Sequence, residues 1–80
     1  MIIGDIVIYR YAADDFTPNG SKFQPAIVTK VLCKDSLNLV VFNDSNSVVS
    51  HRNFVLHYSH LNVKEDSACW ISKEGYRDLV

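Results

Sequence analysis

The segment PAIVTKVLCKDSLNLVVF, residues 25–42, constrains this chain more than any other. Two runs of branched and aliphatic residues flank the polar CKDS, which reads as the loop of a β-hairpin. With that loop, Leu32 faces Leu37, Val31 faces Asn38 and Thr29 faces Val40. One side of the ladder then carries Ala26, Val28, Lys30, Leu32, Leu37, Leu39 and Val41, and the other Ile27, Thr29, Val31, Asn38, Val40 and Phe42. A hairpin with one face in water should show one polar side, yet both sides here are mostly apolar. An 80-residue chain has little else to lay over the second side, because a domain this small buries only about 60% of its unfolded surface. Each branched side chain left in water forgoes roughly 1.5–3 kcal/mol of burial. The expectation is a homo-oligomer whose copies cover that side. The competing arrangement has the N-terminal loop and the C-terminal segment cover it.

The rest of the chain supplies further strands. Ile6–Tyr11 alternates branched and aromatic residues. DDFTPNGS after it holds Pro18 and the turn pair Asn19-Gly20. The second strand runs from Phe23 to Leu32, with Pro25 marking an edge or entry point, and the third from Leu37 to Phe42. NDSN at 43–46 reads as a turn, and 47–58 as one long strand or two short ones. Residues 61–67 are polar and ambiguous, ACWIS at 68–72 is a short last strand, and 74–80 reads as a loose tail. Five short strands between turn signals predict an all-β fold, a small antiparallel five-stranded barrel in one domain, 1–73.

Eight Lys+Arg against nine Asp+Glu give a net charge of -1, which argues against a coat for long nucleic acid. The first residues read as no secretory signal, and no apolar run approaches the ~20 residues of a membrane span. Cys33 and Cys69 are not spaced as a CxxC and read as two free thiols in a reducing, cytoplasmic setting, although a disulfide between them satisfies the arithmetic.

GDIVIYRY, PAIVTKVL and LNLVVF together carry a resemblance. More loosely, they resemble Tudor, KOW and Agenet barrels, where Gly-Asp opens the first strand and Pro-Ala enters the second. More closely, they resemble a widespread set of small phage-encoded proteins with the pattern GDxVxY, PAxVTxV and NLxVF and a lone late tryptophan. The matching positions are Gly4, Asp5, Val7, Tyr9, Pro25, Ala26, Val28, Thr29, Val31, Asn38, Leu39, Val41, Phe42 and Trp70. The match spans residues 4–44 and then weakens: NDSNS lacks the usual glycine, and HLNVKEDSAC replaces the usual small residues. Some small phage proteins of this size act as oligomeric sponges for the cyclic nucleotide signals of bacterial defence, as anti-CBASS proteins do. The resemblance implies that role here, in the cytoplasm of an infected host.

The residues offer candidates for such a site. Thr29 and Asn38 would be polar neighbours on the second side, either bonded to each other or the backbone, or reading a base edge or phosphate between copies. Tyr9, Tyr11, Phe16, Tyr58 and Trp70 are aromatics that either fill the core or stack on bases; a cage for a methylated lysine is a weaker use of them. Arg52, in SHRNF, suits bidentate phosphate contact or is a solvated loop residue; Lys30 and Arg10 are lesser candidates. His57 and His60 form an HxxH whose rings fall on opposite strand faces, so a metal is not expected. No elbow, oxyanion motif or orienting acid accompanies a Cys–His pair, and Asp14-Asp15 reads as a solvated pair. The expectation is therefore a non-enzymatic binder without cofactor. It would hold a cyclic nucleotide between protomers, with a peptide-binding barrel module and a weak KOW-type nucleic-acid binder as alternatives.

Overall fold

The computed structural model describes residues 1–15, 22–42 and 49–79. The fold is all-β with one short helix: β1 (Ile6–Arg10), β2 (Phe23–Cys33), β3 (Ser36–Phe42), β4 (Val49–Leu56), β5 (Cys69–Ser72) and α1 (Lys73–Leu79). The strands form one antiparallel sheet in the order β4-β3-β2-β1-β5. The expected turns at Pro18–Gly20 and 43–46 lie outside the described residues.

Gly4-Asp5 opens the first strand by building a turn. Gly4 takes φ +95°, the left-handed backbone that glycine adopts without a Cβ clash. The Asp5 amide donates to Ile2 O at 3.1 Å, while the Asp5 carboxylate accepts the Ile2 N–H at 2.9 Å. The turn then joins the sheet, with Gly4 N–H donating to Val28 O and Val28 N–H to Asp5 O.

The alternating residues of β1 to β3 sort cleanly between two faces. Val7, Tyr9, Ala26, Val28, Leu37, Leu39 and Val41 point inward and are buried with Tyr11, Val55 and Trp70. Ile6, Ile27 and Val40 fall on the outer face as register neighbours, Ile6↔Ile27 and Ile27↔Val40. Ala26, Val28, Leu37, Leu39 and Val41 lie inward as expected from sequence, but Lys30 is exposed and pairs with Asn38, Val31 takes the place opposite Leu37, and the register is not as expected. Val40 faces Ile27 instead of Thr29, Leu39 faces Val28, and Leu37 faces Val31 instead of Leu32. Two bulges cause the shift, one at Thr29 between the Val28 and Lys30 pairs and one between those of Val31 and Cys33. Each inserts an extra residue on β2, so the loop tightens to Lys34-Asp35. A third bulge lies across β3, where Asn53 and Phe54 together oppose Asn38 between the pairs Leu37↔Val55 and Leu39↔Arg52.

The sheet curls until its two edges meet. Tyr58 N–H donates to Trp70 O at 3.0 Å, and His57 and Trp70 form a single parallel bridge. The hairpin tip fastens the seam, because Asp35 O accepts both the His57 N–H at 2.8 Å and the Trp70 indole N–H at 3.1 Å. The polar 57–68 connection is held to β1 by Arg10, whose guanidinium donates to Ser67 O and Lys64 O.

The segment expected to be a loose tail is helical over Lys73–Leu79. Ser72 Oγ accepts the Gly75 N–H at 3.0 Å, the bond of an N-cap serine. Glu74 in the first turn and Arg77 in the last complement the helix dipole. Gly75 lets the helix approach β5 closely, since a Cβ there would sit 3.0 Å from an Ile71 side-chain carbon. Tyr76 stacks at 5.0 Å on Phe23 and with Ile8 and Pro25 lines a shallow cleft of about 130 Å³.

Candidate functional site

The aromatics expected to stack on a ligand are mostly core. Tyr9, Tyr11 and Trp70 are buried, because a closed barrel needs large side chains to fill its interior. Tyr9 and Tyr11 meet edge to face at 5.2 Å, and Trp70 packs against His57 at 4.5 Å. Tyr58 alone among the described candidates keeps its ring partly in water, and Phe16 lies outside the described residues.

Thr29 and Asn38 do come together, but their polar atoms serve the backbone. The Thr29 hydroxyl donates to Asn38 O at 3.2 Å, and Asn38 Oδ1 accepts the Phe54 N–H at 3.1 Å. Asn38 thus ties the bulge on β2 to the bulge on β4 through its carbonyl and Oδ1. Lys30 is exposed beside it. Arg10 Nε and Nη2 are committed to the Ser67 and Lys64 carbonyls.

The residue that sequence reasoning missed is Phe54. It adopts φ +57°, a region that costs a bulky residue about 1–2 kcal/mol, and its side chain is 75% exposed. Nothing in RNF marks this, since left-handed positions usually carry Gly or Asn. Phe54→Gly is expected to leave stability unchanged or raise it by up to about 1 kcal/mol in chemical denaturation. A clear loss would mean that the ring holds the fold together.

Phe54 adds to an apolar outer face. Ile6, Ile27 and Val40 run side by side, Phe42 pairs with Val49 further along, and Phe42 remains 40% exposed. Helix α1 sits beside Ile8 and Pro25, with Lys73 and Glu74 next to Ile6. The second side of the hairpin is therefore apolar and partly open, as the sequence implied.

A different cluster gathers at Arg52. Its guanidinium carbon lies 5.7 Å from the ring centres of both Tyr9 and Tyr11, within cation–π range. Its ion pair with Asp15 is long, 4.0 Å from Nη1 to Oδ2. Asp15 is thus a partner of Arg52, not half of a solvated pair with Asp14. Burial pushes the Tyr9 hydroxyl above its ordinary range, with Arg52 pulling it down and Asp15 pushing it up.

The histidines form a turn. The His60 N–H donates to His57 O, and each ring Nδ1 accepts a nearby backbone N–H, from Ser59 and Asn62. No group of three metal-binding side chains exists among the described residues. Both cysteines are free, Cys33 exposed and Cys69 buried, and burial raises the Cys69 thiol while Arg10 opposes it. No helix among the described residues is long and apolar enough to cross a membrane.

Burial of His57 at the seam lowers its pKa from 6.5, with Asp35 opposing. The folded chain thus takes up this proton less readily than the unfolded chain. Its contribution to stability is complete above the unfolded value and is lost as pH falls below it and through the folded one. Melting temperature should drop between about pH 7.5 and 5.5, and His57→Gln should flatten that part of the curve. An unchanged slope in the variant would remove His57 as the cause.

Comparison with protein-family models, with curated proteins and with solved structures finds no match.

Proposed function

We propose that this barrel acts by binding without turnover, sequestering a cyclic nucleotide at the seams between copies of itself in an infected bacterial cell. The observation that carries the reading is the outer apolar face: the row Ile6, Ile27 and Val40, with Phe42, Val49 and Phe54 beside it. Association of copies through this face removes it from water and forms clefts that a single copy lacks. The apolar cleft beside α1, at about 130 Å³, is well below the roughly 300 Å³ at which ligand pockets begin. A wider hollow of about 330 Å³ lies along α1 between Lys73, Glu74 and Arg77, but its lining is mostly polar and offers no aromatic ring for a base.

The site set differs from the one the sequence suggested. Tyr9, Tyr11 and Trp70 do not stack on bases in this proposal. Phe54 and Tyr58 supply the exposed rings and Lys30 positive charge, and Arg52 adds its charge from the inner side of the edge strand β4, where it is the register partner of Leu39. A peptide-binding module is the second reading, favoured by one observation, the strained display of Phe54. Single exposed aromatics of this kind serve as anchors in protein interfaces.

Sedimentation and a melting panel test both. Dimers or larger assemblies by sedimentation, with a large melting shift for one cyclic di- or trinucleotide, support sequestration. At 100 times the dissociation constant, linkage predicts about 2.7 kcal/mol of added stability, and the nucleotide should be recovered unchanged after heating. Phe54→Gly should then keep the fold and weaken the assembly. A monomer at high concentration that no nucleotide stabilises would overturn the proposal, and a peptide or protein ligand lost in Phe54→Gly would establish the second reading.

A further inference from the structure

Arg52 is in an unusual position for a surface-strand arginine. Its Nε is shut off from water and has no hydrogen-bond partner among the described residues. The hydroxyl of Tyr11, a residue only 3% exposed, is likewise enclosed and unpartnered. Buried donors of this kind are almost always paired in folded proteins. Here two of them belong to one cluster, with the guanidinium over the Tyr11 ring. The one ion pair to Arg52 among the described residues, from Asp15, is too long for a hydrogen bond at 4.0 Å.

We infer that Arg52 and Tyr11 form an oxyanion-binding site, with the Asp15 carboxylate as a loosely held internal competitor. The chemistry matches on three counts. Guanidinium is a planar fork that binds phosphate or carboxylate through two parallel bonds. The tyrosine hydroxyl, enclosed and unpartnered in the same cluster, adds a further donor once displacement of the Asp15 carboxylate opens the cluster to the anion. Tyr9 and Tyr11 present ring faces to the cation, which fixes the fork without using its N–H groups.

Asp15 supplies the gating. Its amide closes a turn on Ala12 O at 3.1 Å, placing the carboxylate near the guanidinium at the end of that turn. An incoming anion must outcompete it, so the empty site keeps its charge balanced. The carrier of the anion rests on the proposed function, in which it is the phosphate of a cyclic nucleotide. The site itself does not depend on that reading.

The test uses the full chain and inorganic phosphate, with acetate as the carboxylate arm and sodium chloride as the ionic-strength control. The Arg52 Nε–H signal is followed by NMR. Phosphate, acetate or both should shift that signal saturably while chloride does not, and the stronger of the two identifies the anion class. Asp15→Asn should tighten binding about tenfold by removing the competing charge. Tyr11→Phe should weaken binding several-fold while leaving the melting temperature unchanged or higher, because it deletes an unpartnered buried hydroxyl. A purely structural tyrosine would show the reverse, with stability falling and anion binding unaltered. No saturable shift with either anion in both the wild type and Asp15→Asn would overturn the inference. Phosphate binding here with no response to any cyclic nucleotide would sink the sequestration reading and leave this site standing. Cyclic nucleotide binding that Tyr11→Phe and Asp15→Asn leave unaltered would do the opposite.

Discussion

Trp70→Ala is expected to lower the unfolding free energy by about 3–5 kcal/mol, the usual cost of emptying a buried aromatic site. A chain of 80 residues holds about 4–12 kcal/mol in total, so the variant loses between about a quarter and all of its stability. Volume is only part of the reason. Trp70 fills the core, its indole N–H fastens the Lys34-Asp35 tip, and its carbonyl receives the Tyr58 N–H across the seam. Trp70→Phe separates these roles. It keeps most of the ring and loses the indole bond, while Asp35 O retains the His57 N–H. That change should cost about 1 kcal/mol, or roughly 4–8 °C in melting temperature for a domain of this size. An alanine variant within 1 kcal/mol of the parent in urea denaturation would show that the seam does not hold the barrel closed.

Arg10→Met should cost about 2–3 kcal/mol, because charge-assisted bonds contribute more than neutral ones and those to Ser67 O are partly buried. The guanidinium reaches Ser67 O at 2.7 and 3.2 Å and Lys64 O at 2.8 Å, linking β1 to residues 54 and 57 positions away. Methionine preserves the apolar stem and removes every donor. Water can replace the bond at the exposed Lys64 carbonyl, which keeps the cost below the sum of three bonds. The loss should be local before it is global: the Ala13 amide, bonded to Asp66 O, should lose protection in hydrogen exchange, while the amides of β2 and β3 keep theirs. Arg10→Lys should recover only part of the stability, since one ammonium cannot reproduce the fork. Uniform loss of protection across the sheet would show that Arg10 supports the whole core and not the connection.

These expectations depend on features that the sequence exposes unevenly. Strand identity was legible because Val7, Tyr9, Ala26, Val28, Leu39 and Val41 alternate with outward residues, and burial of one face enforces that period. The inner register of the hairpin was not legible. Thr29 and the pair Asn53-Phe54 carry no composition that announces a bulge, and each extra residue displaces every pairing beyond it. The helix over 73–79 was readable from Ser72 three residues before Gly75, but a seven-residue helix is too short to show a 3.6-residue period. The binding candidates were hardest of all. Tyr9, Tyr11 and Trp70 look alike in sequence whether they stack on a ligand or fill a barrel, and only closure of the sheet decides. Arg52 was visible as a charge, whereas its seat on two tyrosines depends on β4 curling over β1.

The bulge at Asn53-Phe54 also shapes how crowded copies of this protein behave. Among the described residues β4, from Val49 to Leu56, pairs with β3 alone, so its outer rim could recruit a foreign strand and start a growing ribbon. The left-handed kink at Phe54 breaks that rim midway. No straight, evenly spaced row of amides and carbonyls remains for another chain to zip onto, so contacts between copies are steered face to face and fibre growth along the rim is discouraged.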